Sequence, residues 1–244
     1  MDWWHQVQAE TFEGLERSGL PKRVIRYLLE SPGMAVGNSI LDAGCGGGEL
    51  AWYLACLGFQ VTGFDECPEH IAAARRSTPR ADFSCGASLS LPFPQHRFDL
   101  VLVRGLNVYG GSLYSLGSLQ TTAQLLSCVK PGGRLVILEH RDTTAAGVAE
   151  GHGEECLEKH LKGFAGNVSA VDLQDPMIQP GVLKTWLMRK PRAGYVAATI
   201  EIPEEPIDRS EWLRMAEVRV FLRQTSCCQW ADQFRRQTSR RAAA

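Results

Sequence analysis

The chain of 244 residues is 44% hydrophobic and 22% charged, with a formal net charge of −1. That composition excludes a disordered chain, and the length suits one domain with elaborations at roughly 100–200 residues per domain. A near-neutral charge, evenly spread, predicts no nucleic-acid partner, because phosphate binding calls for a basic face.

The longest apolar stretch, Ala51–Phe59, is about half of the roughly 20 residues needed to span a bilayer, so no membrane association is expected. The start Met1-Asp2-Trp3-Trp4-His5 has an acid where an export signal would carry basic residues. Eight cysteines form no C-x-x-C pair. Reduced thiols and a cytoplasmic location are therefore expected.

In chain order, Leu20, Val24, Tyr27 and Leu28 recur at helical spacing behind Pro21, which suits a first turn. Ser39–Leu41 reads as a short buried strand that runs into Asp42-Ala43-Gly44-Cys45-Gly46-Gly47-Gly48. A helix over 49–57 closes at Gly58, and a second strand, Phe59–Phe64, stops at Asp65. Pro68 opens a helix to about Arg76, Ala81–Cys85 is a third strand, and Phe98–Val103 a fourth. Leu119–Val129 is a helix, and Arg134–Leu138 the fifth strand. Beyond residue 140 a polar helix is expected over Glu150–Gly163, another over Val182–Lys190, and a strand over Tyr195–Ile202. Val218, Val220 and Leu222 alternate as in a last strand, in competition with a helix from Ser210.

Strands alternating with helices of about ten residues predict a Rossmann-like, doubly wound α/β fold. Its sheet should be mostly parallel and seven-stranded, with helices on both faces. The glycine loop lies between a strand and a helix, where the backbone turns tightly and approaches a ligand without a Cβ in the way. The helix after it offers free N–H groups and a positive dipole end. Asp65 ends the neighbouring strand, where a carboxylate accepts ribose hydroxyls.

Ile40 to Gly48 resembles motif I of the class I S-adenosylmethionine-dependent methyltransferases. Val61-Thr62-Gly63-Phe64-Asp65-x-x-Pro68-Glu69-x-Ile71 resembles their acidic second-strand motif. Leu91-Pro92-Phe93-Pro94 with Phe98-Asp99-Leu100-Val101, and Val129-Lys130-Pro131-Gly132-Gly133, resemble the segments around strands four and five. The nearest subgroup is the type-11, quinone-biosynthesis-like domain.

The resemblance implies S-adenosylmethionine as cofactor, a small-molecule methyl acceptor, and S-adenosylhomocysteine as product. By the same resemblance Asp42 and the backbone of Gly44, Cys45 and Gly46 face the methionine part. Asp65 with Glu66 holds the ribose, Cys67 lies near the adenine, and Arg104 borders the amino-acid end. The family often places an Asp before the Leu-Pro-Phe run, to accept from the adenine amino group. Here Ala87 stands in that place and Ser88 follows, a neutral hydroxyl and a weaker acceptor.

His140, expected directly after the fifth strand at the ligand-binding edge, is the candidate general base. Trp3, Trp4 and Phe12 are expected to anchor an N-terminal helix or to cover the cofactor, and Asn107 and Tyr109 to border the acceptor. His152, Cys156 and His160 share zinc-ligand spacing, but the surrounding Glu154, Glu155, Glu158 and Lys159 favour a solvated charged helix, so no metal is assigned. The chain reads as one domain: 1–38 a helical lid, 39–140 the cofactor core, 141–244 an acceptor-side insertion and closing strands. Two other classes stay open: a nicotinamide-dependent oxidoreductase, from Gly46-x-Gly48-x-x-Ala51, and a non-catalytic binding module, from Ala87.

Overall fold

A computed structural model describes residues 19–30, 34–143, 149–150, 152–174 and 194–223. Trp3, Trp4, Phe12 and the segment Val182–Lys190 lie outside these residues. The helix α1 (Lys22–Leu29) follows Pro21 and buries Val24, Ile25, Leu28 and Leu29, the apolar stripe at helical spacing. Then come β1 (Ser39–Ala43), α2 (Glu49–Cys56), β2 (Gln60–Asp65), α3 (Pro68–Ser77), β3 (Asp82–Cys85) and β4 (Phe98–Val103). After a 3-10 turn at Asn107–Tyr109 follow α4 (Leu116–Ser127), β5 (Val129–Thr143) and the two-residue β6 (Ala149–Glu150). The chain continues through α5 (Glu154–Leu161), β7 (Asn167–Gln174) and β8 (Gly194–Glu201) to a final helix α6 at 209–223.

Seven strands stand in the order β3-β2-β1-β4-β5-β8-β7, with β6 paired to β5 off that path. From β3 to β5 all neighbours are parallel. By contrast, β8 runs antiparallel to both β5 and β7. Two apolar layers sandwich the sheet. On one face α1, α2 and α3 bury Ile25, Leu54 and Ile71 with Ile40, Leu100 and Leu138. On the other, α4, α5 and α6 bury Leu119, Leu157 and Trp212 with Leu41, Val101 and Ile137. The expected doubly wound, mostly parallel architecture is therefore present.

Strand order reverses between β1 and β4, and the crevice beyond their carboxyl ends is where such sheets take ligands. At the opposite end, Asp99 accepts from the Ser39 N–H at 2.7 Å, the Ser39 hydroxyl at 2.6 Å and Lys130 Nζ at 2.8 Å. Burial would raise the Asp99 carboxyl, but these contacts outweigh it and hold it below the usual range.

One of two open alternatives is decided, and two elements differ from expectation. Residues 209–223 are helical, so Val218, Val220 and Leu222 form no strand. Trp212 and Ala216 are buried one turn apart, and that helical period outweighs the short alternation. The strand β7 was not foreseen; as the sheet's edge it buries its side chains only partly and shows no clear pattern. The helix over 154–161 is present, but its His160 is wholly buried rather than on a solvated face.

Candidate functional site

The loop after β1 is shaped by its glycines. Gly44 has φ +88°, and a Cβ there would stand 1.8 Å from the Arg104 carbonyl oxygen. Only glycine lets the two chain ends leaving β1 and β4 pass so closely. Gly46 also has positive φ, +53°, but a Cβ there would meet nothing within 4 Å, so the loop opens outward at that point. The N–H groups of Gly44 and Cys45 donate to the Phe64 carbonyl at 2.7 and 3.0 Å. The Gly46 N–H donates to Asp65 Oδ2 at 2.9 Å. All three amides therefore brace the loop against β2.

Beneath the loop Asp42 is fully buried, and neither carboxylate oxygen has a hydrogen-bond partner among the described residues. Arg104, the residue after β4, places its Nε 3.9 Å from Asp42 Oδ1, too far for a hydrogen bond, and that Nε is also unsatisfied. Burial raises the Asp42 carboxyl, Arg104 opposes the rise, and Asp65 and Glu49 add to it. A buried, unpaired polar group costs about 1–3 kcal/mol, and more when charged. The pair thus leaves an unfilled acceptor and an unfilled donor side by side beneath the loop.

Asp65 closes the β2 side. Its Oδ1 accepts from the Cys67 N–H at 2.9 Å and contacts His70 Nδ1 at 3.2 Å. With the Gly46 bond, that fills three of about four acceptor positions of a carboxylate. Glu66 Oε1 accepts from both the N–H and the hydroxyl of Ser88, at 3.0 and 2.7 Å. Ser88 is buried and Ala87 exposed, so the Ser88 hydroxyl donates to Glu66, a latch that the sequence reading missed. Cys67 precedes α3 and turns its thiol to Glu69 Oε2 at 3.0 Å. The Cys45 thiol is buried and pushed well above its ordinary range by that burial.

The β5 strand runs on to Thr143, so His140 lies within it, opposite Tyr195 of β8. Its ring is exposed and meets the Tyr195 ring edge-on at 5.1 Å between centroids. Val103 pairs with Ile137, which places Glu139 and His140 just past the level of Arg104, on opposite faces of β5. Glu139 was not singled out from the sequence. The available signal was its parity with the apolar Leu135 and Ile137.

His152, Cys156 and His160 do not converge. His152 Nε2 bonds the Tyr109 carbonyl at 2.7 Å, and its Nδ1 lies 4.0 Å from Cys156 Sγ. His160 Nε2 instead bonds Thr122 Oγ1 at 2.8 Å, and Thr122 bonds the Tyr109 hydroxyl at 2.7 Å. Burial, with Arg219 adding to it, pushes the His160 imidazole down to about 3, so it is neutral. A cavity of about 760 Å³ opens at the opposite end of the sheet, bordered by Met34, Gly133, Arg134 and Glu204, and none of the site residues lines it.

Residues 40–133 match the family described as Methyltransferase domain. The chain is 33% identical over 131 residues to an uncharacterized methyltransferase of Synechocystis sp., covering 50% of this chain and 57% of that protein. It is 29% identical over 127 residues to the demethylmenaquinone methyltransferase of Renibacterium salmoninarum, covering 52% and 51%. The chain thus spans about half the length of these curated relatives. Among solved structures, the fold is similar to that of the [4+2]-cyclase SpnF, with TM-score 0.55, 21% identity, and coverage of 75% of this chain and 82% of that one. Residues 40–133 are thus similar to a methyltransferase domain, within a fold shared with the solved structure above.

Proposed function

We propose that this chain transfers a methyl group from S-adenosylmethionine to a small-molecule acceptor and releases S-adenosylhomocysteine. The observation that carries the reading is the buried Asp42–Arg104 pair, with an orphaned acceptor and donor under an open glycine loop. Those two groups suit the ammonium and carboxylate of the cofactor's amino-acid end, each charge meeting its opposite. The cofactor supplies an electrophilic methyl on a sulfonium; the protein's share is position and exclusion of water.

In this reading the loop at Gly44, Cys45 and Gly46 sets the distance to the methionine part. Asp65, with its remaining acceptor position, and Glu66, held by Ser88, take the ribose side. Cys67, Ala87 and Ser88 border the adenine, where no carboxylate stands at position 87. His140 is one candidate for removing the acceptor's proton, on its place at the rim. All six described cysteines are free thiols, which supports a reducing, cytoplasmic setting. Among the described residues no helix is long and apolar enough to cross a membrane.

The test uses thermal unfolding with S-adenosylhomocysteine and, separately, nicotinamide dinucleotides, followed by transfer of a labelled methyl group. A rise in midpoint with S-adenosylhomocysteine alone, weakened in Asp65→Ala, is expected. Stabilisation by a nicotinamide dinucleotide instead would assign the oxidoreductase class. Binding of S-adenosylhomocysteine with no transfer to any acceptor would leave a binding module.

A further inference from the structure

We propose that Glu139 is the carboxylate that receives the methyl acceptor, and that the acceptor is a basic amine, methylated on nitrogen. This rests on the methyl-transfer reading above. The strand order carries the first part of the argument. Asp65 lies on β2, on one side of β1, whereas Arg104 and Glu139 follow β4 and β5 on the other. Val103 pairs with Ile137, so Glu139 stands one residue past the level of Arg104, on the adjacent strand about 5 Å away. That is the side of the ligand edge away from the ribose carboxylate, which on the reading above is the side left for an acceptor.

The surroundings of Glu139 carry the second part. Leu135 and Ile137 precede it on the same face and are buried in the core. Glu139 is half-buried on that face, with no hydrogen bond or ion pair among the described residues. Burial raises its carboxyl above the usual range, and His152 opposes the rise. His152 is itself engaged elsewhere: its Nε2 bonds the Tyr109 carbonyl at 2.7 Å and its Nδ1 faces Cys156 Sγ at 4.0 Å. Nothing else described in this corner donates to Glu139, so its carboxylate stands ready for a donor brought by the ligand.

Charge selects the class of that ligand. As an amine attacks, its nitrogen gains positive charge, and a carboxylate beside it stabilises that charge where it develops. A phenolate or carboxylate acceptor would bring a negative charge against Glu139 and be disfavoured. The amine first gives up a proton of its ammonium form, which frees the nitrogen lone pair; that pair forms the new N–C bond as the C–S bond breaks with its electron pair remaining on sulfur. The proton shed by the nitrogen passes to the Glu139 carboxylate and then to water.

The experiment offers the full chain a panel of alkyl and arylalkyl amines, with size-matched phenols, thiols and carboxylates, and reads label from methyl-tritiated S-adenosylmethionine. Label should enter the amines. Glu139→Gln should lower kcat/KM for amines by about 10²-fold, the range of a lost general base. Its affinity for S-adenosylhomocysteine, measured by calorimetry, should be unchanged. Titrating the best amine into the S-adenosylhomocysteine complex should show weaker binding in Glu139→Gln, with part of it retained in Glu139→Asp. Label confined to phenols, thiols or carboxylates, no labelled amine, or amine transfer that survives Glu139→Gln while falling in His140→Gln would each overturn the proposal. A wild-type chain that does not bind S-adenosylhomocysteine would instead defeat the methyl-transfer reading itself.

Discussion

Gly44 shows how one residue couples two distant parts of the chain. The sequence marks it as a turn glycine, which its φ of +88° bears out, but the reason no side chain fits is the Arg104 carbonyl, sixty positions on. Gly44→Ala adds a contact of 1.8 Å against backbone to an unfavourable dihedral angle, so one of the two chain segments must move. We expect a loss of about 3 kcal/mol or more in urea denaturation, with S-adenosylhomocysteine affinity lost in any protein that remains folded. Asp42 and Asp65 could be singled out because strand ends followed by glycine mark a ligand edge. The Glu66–Ser88 latch could not, because it joins residues whose pairing depends on how the loop at 86–90 folds back. Glu139 was legible in principle, as a charge at a position whose strand parity faces inward.

At the scale of elements, α5 is held to α4 by a buried chain of polar groups. His160 bonds Thr122, which bonds Tyr109 and also the Ser118 carbonyl at 2.8 Å. His160→Ala removes a ring and leaves that chain open, at a cost of about 3 kcal/mol near neutral pH. The pH dependence has a definite sign. The folded imidazole is pushed down to about 3 from an ordinary 6.5, so the unfolded chain binds the extra proton between those values. Wild-type stability should therefore fall on acidification through that window, and the deficit of His160→Ala should shrink there. Denaturant midpoints at neutral and mildly acidic pH would show it; a deficit that grows in acid would mean His160 is charged in the fold. The period of 154–161 was readable as a helix, but its face was not, because the charges of Glu154, Glu155, Glu158 and Lys159 suggested solvent on every side.

At the scale of the molecule, the alternation of strand-length and helix-length segments through residue 140 made the parallel half legible, with Leu100–Val103 a continuous apolar run at its centre. The far edge was not: β7 is an edge strand with partly buried side chains, and among the described residues its only strand partner is β8. The domain should respond to its ligand as a unit. At S-adenosylhomocysteine concentrations 100-fold above Kd, unfolding should require about 2.7 kcal/mol more, with the denaturant slope unchanged. A changed slope would point to a part of the sheet unfolding by itself.

The antiparallel β8 has a consequence for the order of assembly. It fills the space between β5 and β7 although it follows both in sequence, and through Thr199 it meets Tyr27 of α1 at 2.8 Å. A chain emerging from the ribosome can build β1 to β5 as its residues appear, but β7 pairs with β8 and so waits for residues 194–201. Synthesis stalled before that point would leave β5 and β7 without the strand that joins them, so β8 secures three earlier segments at once.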